Sequence, residues 1–125
     1  MMERIKVKRV YDPPTPDDGE RYLIDRLWPR GVSKEKLRLT AWLKDVAPGH
    51  ELRRWFHRHR DAWDEFVERY RAELDANPGA WQPLIEAARR GTITLLYASR
   101  DRERNNAVVL AEYLREKMPS FGAGD

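Results

Sequence analysis

Two short apolar runs limit the folds open to this chain more than any other feature. Tyr22–Trp28 reads YLIDRLW and is bounded by Pro29 and Gly31; Thr92–Ala98 reads TITLLYA and is rich in β-branched residues. Both predict strands covered on both faces. Between them, Leu52, Trp55 and Phe56, then Trp63, Phe66, Val67, Tyr70 and Leu74, recur at i, i+3, i+4, i+7. That spacing predicts one or two amphipathic helices. Buried strands separated by helices call for crossover connections, and so for a parallel or mostly parallel sheet. The expected fold is α/β: a small, mostly parallel sheet of three to five strands flanked by helices. Residues 1–118 are expected to form a single compact domain, with 119–125 a flexible tail.

Other segments fill in around this frame. Ile5 and Val7 alternate with Arg4, Lys6 and Lys8, the period-two pattern of an edge strand with one wet face. Pro13, Pro14 and Pro16, followed by Asp17-Asp18-Gly19, predict a loop, because proline cannot donate to a ladder. Ser33 caps a short helix from Lys34, and Leu39, Trp42, Leu43 and Val46 continue at helical spacing, which predicts helix over 39–46. Asn77 and Pro78 open a further helix toward Arg90, with Asn77 as cap and Gly91 at its end. Ala107, Leu110, Ala111 and Leu114 share one face of a last helix, with Asp101 as its favoured N-cap and Ser99 the alternative.

Composition excludes more than it selects. The chain has no cysteine, so disulfides, thiolate metal sites and thiol nucleophiles are ruled out. Its 24 Lys+Arg and 21 Asp+Glu leave a formal charge of only +3, which permits a nucleic-acid partner without demanding one. No apolar run approaches a membrane span of roughly 20 residues, and the start lacks a signal-peptide core, so a cytoplasmic location and no membrane partner are expected. His57 and His59 lie about 200° apart around a helix and cannot share an ion, and no other ligand set stands out, so no metal site is expected. The dinucleotide, Walker A and serine-hydrolase motifs are absent.

Three constellations carry chemistry. In open α/β sheets, ligands settle at the carboxyl ends of strands beside helix N-termini. The first lies there: Asp25-Arg26-Leu27-Trp28-Pro29-Arg30-Gly31. Arg26 and Arg30 suit an anion clamp, and Trp28 suits stacking on a planar ligand. A structural Asp25–Arg26 ion pair with Trp28 as packing is the plain alternative. The second is Tyr97-Ala98-Ser99-Arg100-Asp101 with Asn105 and Asn106, at a strand-to-helix junction. Asparagine is a poor helix former, which suggests that one of the pair is held for a polar contact with the first constellation. The third is the basic run Arg53–Arg60, with Trp55 and Phe56 inside it. It suits nucleic acid, or else a solvated face paired with Asp61, Asp64, Glu65 and Glu68.

Three blocks read together carry a resemblance: Val10-Tyr11-Asp12-Pro13 with Asp18-Gly19, then Asp25 to Gly31, then Thr94-Leu95-Leu96-Tyr97 with Asn105 and Ala107-Val108-Val109-Leu110. Trp42-Leu43-Lys44, Ala47-Pro48, Glu51-Leu52-Arg53 and Tyr70–Leu74 add to it. Over roughly residues 3–116 the chain resembles the YeaO-like branch of the domain-of-unknown-function 488 (DUF488) family. The resemblance implies a compact α/β sandwich and no particular reaction, since the family is named for lacking one. Broader relatives tend to carry Cys near the last strand and His, or Cys and His, opening the last helix. This chain has Tyr97 and Asn105-Asn106 there, which speaks against chemistry through a thiol or imidazole at that spot.

The expected site binds an anionic small molecule, phosphorylated or nucleotide-like, between the two strand exits. Arg26 and Arg30 would hold the anion, with Tyr11 or Trp28 stacking and Tyr97, Ser99, Arg100, Asn105 and Asn106 completing the wall. Asp25 or Asp12 would be the general base of any hydrolysis or transfer, acting on water with or without Mg²⁺; the sequence requires no cofactor. The alternatives are a nucleic-acid-binding or regulatory module using the Arg53–Arg60 face, and a non-catalytic oligomeric interaction protein.

Overall fold

The computed structural model describes residues 4–118, so the expected tail, 119–125, lies outside the described residues. Four strands, β1 (Ile5–Arg9), β2 (Glu20–Leu23), β3 (Ala41–Trp42) and β4 (Ile93–Tyr97), form one sheet in the order β1-β4-β2-β3. Every neighbouring pair is parallel. The register sets Ile5 beside Ile93 and Glu20 beside Ile93, so β4, buried throughout, is the central partner of both β1 and β2. As its alternation predicts, β1 is an edge strand.

Four helices, α2 (His50–Arg58), α3 (Trp63–Asp75), α4 (Pro78–Arg90) and α5 (Asn106–Glu116), cover one face of the sheet. Their apolar stripes, Leu52 and Phe56, Phe66, Tyr70 and Leu74, Leu84 and Ile85, Leu110 and Leu114, pack on Ile5, Tyr22, Ile24, Ile93, Leu95 and Tyr97. The break between α2 and α3 divides the predicted central helical pattern in two. Pro78 occupies the first turn of α4, where its missing N–H is harmless, while the Asn77 side chain makes no capping bond. The opposite face is covered by α1 (Lys34–Leu37) and loops, over a small cluster of Val10, Leu23, Leu37 and Leu96.

Two sequence expectations are corrected. Ser33 does cap α1, accepting from the Lys36 N–H, but helix does not continue over 39–46. Arg38 takes a left-handed conformation (φ 51°), after which Thr40 N–H donates to Arg21 O and Leu43 N–H to Leu23 O. The free edge of β2 thus recruits Ala41–Trp42 as β3, and only a 3-10 turn at Lys44–Val46 keeps helical character. Ladder bonds to an otherwise unpaired edge outweigh a helix-period pattern of four side chains. The second correction is that β2 stops at Leu23, five residues before Trp28.

The loop joining β1 to β2 is pinned by buried charge. Asp18 accepts from the Thr15 backbone N–H (3.0 Å) and hydroxyl (2.9 Å), from Lys8 Nζ (3.0 Å) and from Arg21 Nη1 (2.6 Å). Arg21 also donates through Nε to Leu37 O, tying the loop to α1. Lys8 leaves β1 on the face the alternation marks as wet, but the loop folds back over it. Gly19, with φ of 65°, then passes so close to β4 that a Cβ there would lie 2.0 Å from Thr92 O. Only glycine fits that crossing.

Burial pushes the Asp18 carboxyl up, but the Thr15 backbone, Lys8, the Thr15 hydroxyl and Arg21 outweigh it and hold it down to about 2. A depressed folded value means that the stabilisation is present above the unfolded value of 3.8 and is lost as pH falls toward about 2. Over that window the protein should lose about 2 kcal/mol through this group. Asp18→Ala should cost about 3–5 kcal/mol at pH 7, because it strands a buried guanidinium. Urea unfolding at pH 7 and across the acid range checks both, and the variant should lack this part of the acid dependence.

Candidate functional site

The site begins where the β2–β4 ladder ends. Ile24 N–H still donates to Leu96 O (3.1 Å), and in a parallel ladder the next rung would run from Ala98 N–H to Ile24 O. Two side chains replace it. Ala98 N–H donates instead to Asp25 Oδ2 (2.9 Å), and Ile24 O accepts from Asn106 Nδ2 (3.1 Å). Asn106 Nδ2 also donates to Asp25 Oδ1 (3.0 Å). The substitution lets the chain leave the sheet at Asp25 without orphaning backbone groups, and it opens a cleft between the exits of β2 and β4.

That cleft is a cavity of about 370 Å³. The loop after β2 contributes Asp25 to Arg30, α2 and the turn after it contribute Arg53, Phe56, His57 and Arg60, and the start of α5 contributes Arg104, Asn105 and Asn106. Ala47, Pro48, Phe66, Ala98, Ser99 and Tyr11 complete the wall. The two strand-exit segments therefore face one another, as the sequence reading requires. Five arginines line the cavity against one carboxylate, Asp25.

Arg26 does not pair with Asp25. Its Nε donates to Pro48 O and its Nη2 to Ala47 O, both at 3.2 Å, so neutral carbonyls fix the guanidinium and leave its charge in place. Arg60 lies 3.8 Å from Asp101, a half-exposed and weak pairing, and 4.9 Å over the Phe56 ring. Burial pushes the Asp25 carboxyl up, opposed by the Asn106 amide, the Ala98 N–H and the charge of Arg53. Trp28 donates to Val32 O and meets Trp42 edge-on at 5.3 Å, which fixes its ring at the cavity wall. Tyr11 is held at the mouth by a bond from its hydroxyl to Arg30 O.

Other predicted residues lie elsewhere. Tyr97 is buried in the helical core, and Arg100 is exposed outside the cavity wall. Asp12 accepts both Nη atoms of Arg102 at 3.0 Å, and that bond holds its carboxyl below the ordinary range. So paired, it is a poor base. Asp101 is not the N-cap of the last helix: it accepts from Glu103 and Arg104 N–H in a turn, and Asn105 caps α5 by accepting from Val108 N–H at 2.9 Å. The alternative of an Asp25–Arg26 ion pair is also replaced by these contacts.

Arg53, His57, Arg60 and Arg104 were missed as members of this site. The signal was present, since Arg53, Phe56, His57 and Arg60 follow i, i+3, i+4, i+7, a single stripe of mixed basic and apolar character. Arg54 and Arg58, with Trp55, belong to the other side of α2, facing a groove toward Arg69 and Glu73.

Residues 4–122 match the family model described as the inactive DUF488-N3 subclade. The chain belongs to the DUF488 family. Among curated DUF488 relatives, the uncharacterized protein YeaO of Escherichia coli K12 is 43% identical over 111 residues, covering 89% of this chain and 96% of that one. Uncharacterized proteins of Mycobacterium tuberculosis and Mycobacterium bovis are likewise 43% identical, over 89% of this chain and 93% of theirs. No solved structure matches significantly. Among the described residues, no helix is long and apolar enough to cross a membrane, and no group of three or more His, Asp or Glu is placed to hold a metal ion.

Asp25 is the acceptor on which this DUF488 site is built. Asp25→Ala should leave Ala98 N–H and one Asn106 proton without partners and lower stability by about 1–3 kcal/mol. Because burial raises the folded value, the ionised form weakens the fold as pH rises from the unfolded toward the folded value, opposite in sign to Asp18. Urea midpoints of Asp25→Ala and wild type between pH 3 and pH 7 test the size and the sign.

Proposed function

We propose that this cleft binds an anionic small molecule, phosphorylated or nucleotide-like, and holds it without turnover. The observation that carries the reading is the charge of the wall: five guanidinium groups around one cavity, faced by a single carboxylate that is already clamped by two donors. Guanidinium groups match phosphate oxygens in pairs, and a half-enclosed apolar wall of Phe56, Phe66 and Pro48 lowers the screening that would weaken them in open water. The position, at the carboxyl ends of parallel strands, is where open α/β sheets take ligands.

Binding without turnover rests on the state of the reactive groups that the sequence nominated, Asp25, Asp12, Tyr11 and Ser99. Asp25 is fixed in place as an acceptor by Ala98 N–H and Asn106, Asp12 is neutralised by Arg102, and the Tyr11 hydroxyl is spent on Arg30 O. Ser99 Oγ accepts from Asp101 N–H, and among the described residues no base is hydrogen-bonded to it. The description of the subclade as inactive points the same way. The nucleic-acid reading is favoured less, because it needs Arg54, Arg58 and Arg60 on one surface, whereas Arg60 lines the cavity and the other two face the groove behind α2.

The test is titration of the full chain with inorganic pyrophosphate, followed by amide chemical shifts and by calorimetry. Shifts should centre on Arg30, Arg53 and Arg104. Arg30→Met and Arg53→Met should each weaken binding roughly tenfold, the size expected for losing one charge-assisted hydrogen bond. Arg54→Glu with Arg58→Glu should change it little. If pyrophosphate shifts nothing, or if a single-stranded oligonucleotide binds through Arg54 and Arg58 with the cavity unmoved, the reading is wrong.

A further inference from the structure

We infer that the ligand of this cavity lies with its anion outward and a hydrogen-bond-donating group inward. The class that fits is a small phosphorylated molecule with hydroxyl or amino groups at the end remote from its phosphate, a sugar phosphate being the simplest member. The inference rests on the anion-binding reading above and adds the orientation and the chemistry of the far end.

The cavity is polarised. Its cations sit largely at the rim: Arg30, Arg53, Arg60 and Arg104 are all exposed, and the apolar side chains beside them at the mouth, Leu27 (54% exposed) and Tyr11 (47%), are the exposed large hydrophobic residues among those described. Its base is made of acceptors. Asn106 Nδ2 lies within bonding distance of two acceptors, Ile24 O and Asp25 Oδ1, and only the NH₂ end of the amide can serve both. The amide orientation is thereby fixed, and Asn106 Oδ1, which has no donor among the described residues and is not sealed from solvent, is left to the cavity.

Asp25 adds to this. Each of its oxygens holds one donor, Asn106 on Oδ1 and Ala98 on Oδ2, and a carboxylate oxygen has room for a second. The base therefore offers a cluster of unfilled lone pairs around one carboxylate. A phosphate driven to that depth would meet like charge, whereas O–H or N–H groups would complete the bonding. A volume of about 370 Å³ lies near the lower end of ligand pockets, which run from roughly 300 to 1,000 Å³, so the two ends of the ligand are separated by little more than one ring.

Two probes with the same anion separate the alternatives: ribose 5-phosphate, with donors at its far end, and n-pentyl phosphate, with none. On the wild-type full chain, calorimetry should give a ribose 5-phosphate affinity roughly tenfold above that of pentyl phosphate, since pentyl phosphate displaces water from the half-buried acceptors at the base without filling them. Asn106→Ala should narrow that gap, while Arg53→Met should weaken both phosphates by a similar factor and keep the ratio. Because Asn106→Ala also removes the clamp on Ile24 O, the wild-type comparison decides by itself. Equal affinities for the two phosphates would overturn the orientation while leaving the anion site standing. No binding of either phosphate, or of pyrophosphate, would overturn the anion site and the orientation together.

Discussion

The site exists because one ladder rung is missing. A parallel pair that ended with Ala98 N–H on Ile24 O would keep β2 and β4 side by side through their last residues and leave little room between their exits. Asp25 and Asn106 take over the two ends of that rung, which keeps the backbone satisfied while the chains part. Everything that lines the cavity follows from the parting. The 25–30 loop swings toward α2, Arg26 reaches the carbonyls of Ala47 and Pro48, and the start of α5 sits over the gap. Two bonds from the Asn106 amide, to Ile24 O at 3.1 Å and to Asp25 Oδ1 at 3.0 Å, link the exit of the second strand to the last helix.

Buried Asp18 and half-buried Asp25 are carboxylates of opposite character, and the contrast separates support from site. Asp18 is surrounded by two cations and two Thr15 donors, so its charge is well compensated, its pKa is depressed, and its surroundings are filled by side chains. Asp25 has two neutral donors and a more distant Arg53, so burial wins and its pKa rises, beside open volume rather than packed atoms. A buried ion that is fully partnered stabilises a fold only in context, but it fixes register well. Asp18 does that for the loop crossing at Gly19. A carboxylate with spare lone pairs beside a cavity is placed for recognition.

The sequence made the architecture legible where pattern and burial coincide. β4 and the helical stripes of α2, α3 and α5 could be read because every residue on the relevant face is apolar and the period is unambiguous. The 39–46 segment could not, since its four apolar side chains fit a helix and its actual partner, the free edge of β2, is a tertiary fact. The end of β2 was obscured by the opposite problem: Ile24, Leu27 and Trp28 continue the apolar run, and only Asp25 and Arg26 mark the departure. Of the site, Asp25, Arg26 and the polar role of one asparagine were visible because a charge or a poor helix former stood where it was unfavourable. Arg53 and His57 were hidden by being ordinary surface residues on an amphipathic helix. The buried Asp18–Arg21 pair was hidden inside what composition marks as a turn.

The identity of residue 106 also shapes what the cleft can do. An imidazole at the head of α5 would titrate near neutral pH, and an acid would repel Asp25. An amide does neither: it donates to Ile24 O and Asp25 without itself titrating. It also cannot relay a proton from a nucleophile, and no thiol exists in the chain to serve as one. The arrangement gives the strand-end cleft, with its arginine rim and its opening between β2 and β4, a group at the head of α5 that holds position. A fixed amide and a carboxylate held by two donors give the opening between the strand exits a rigid base.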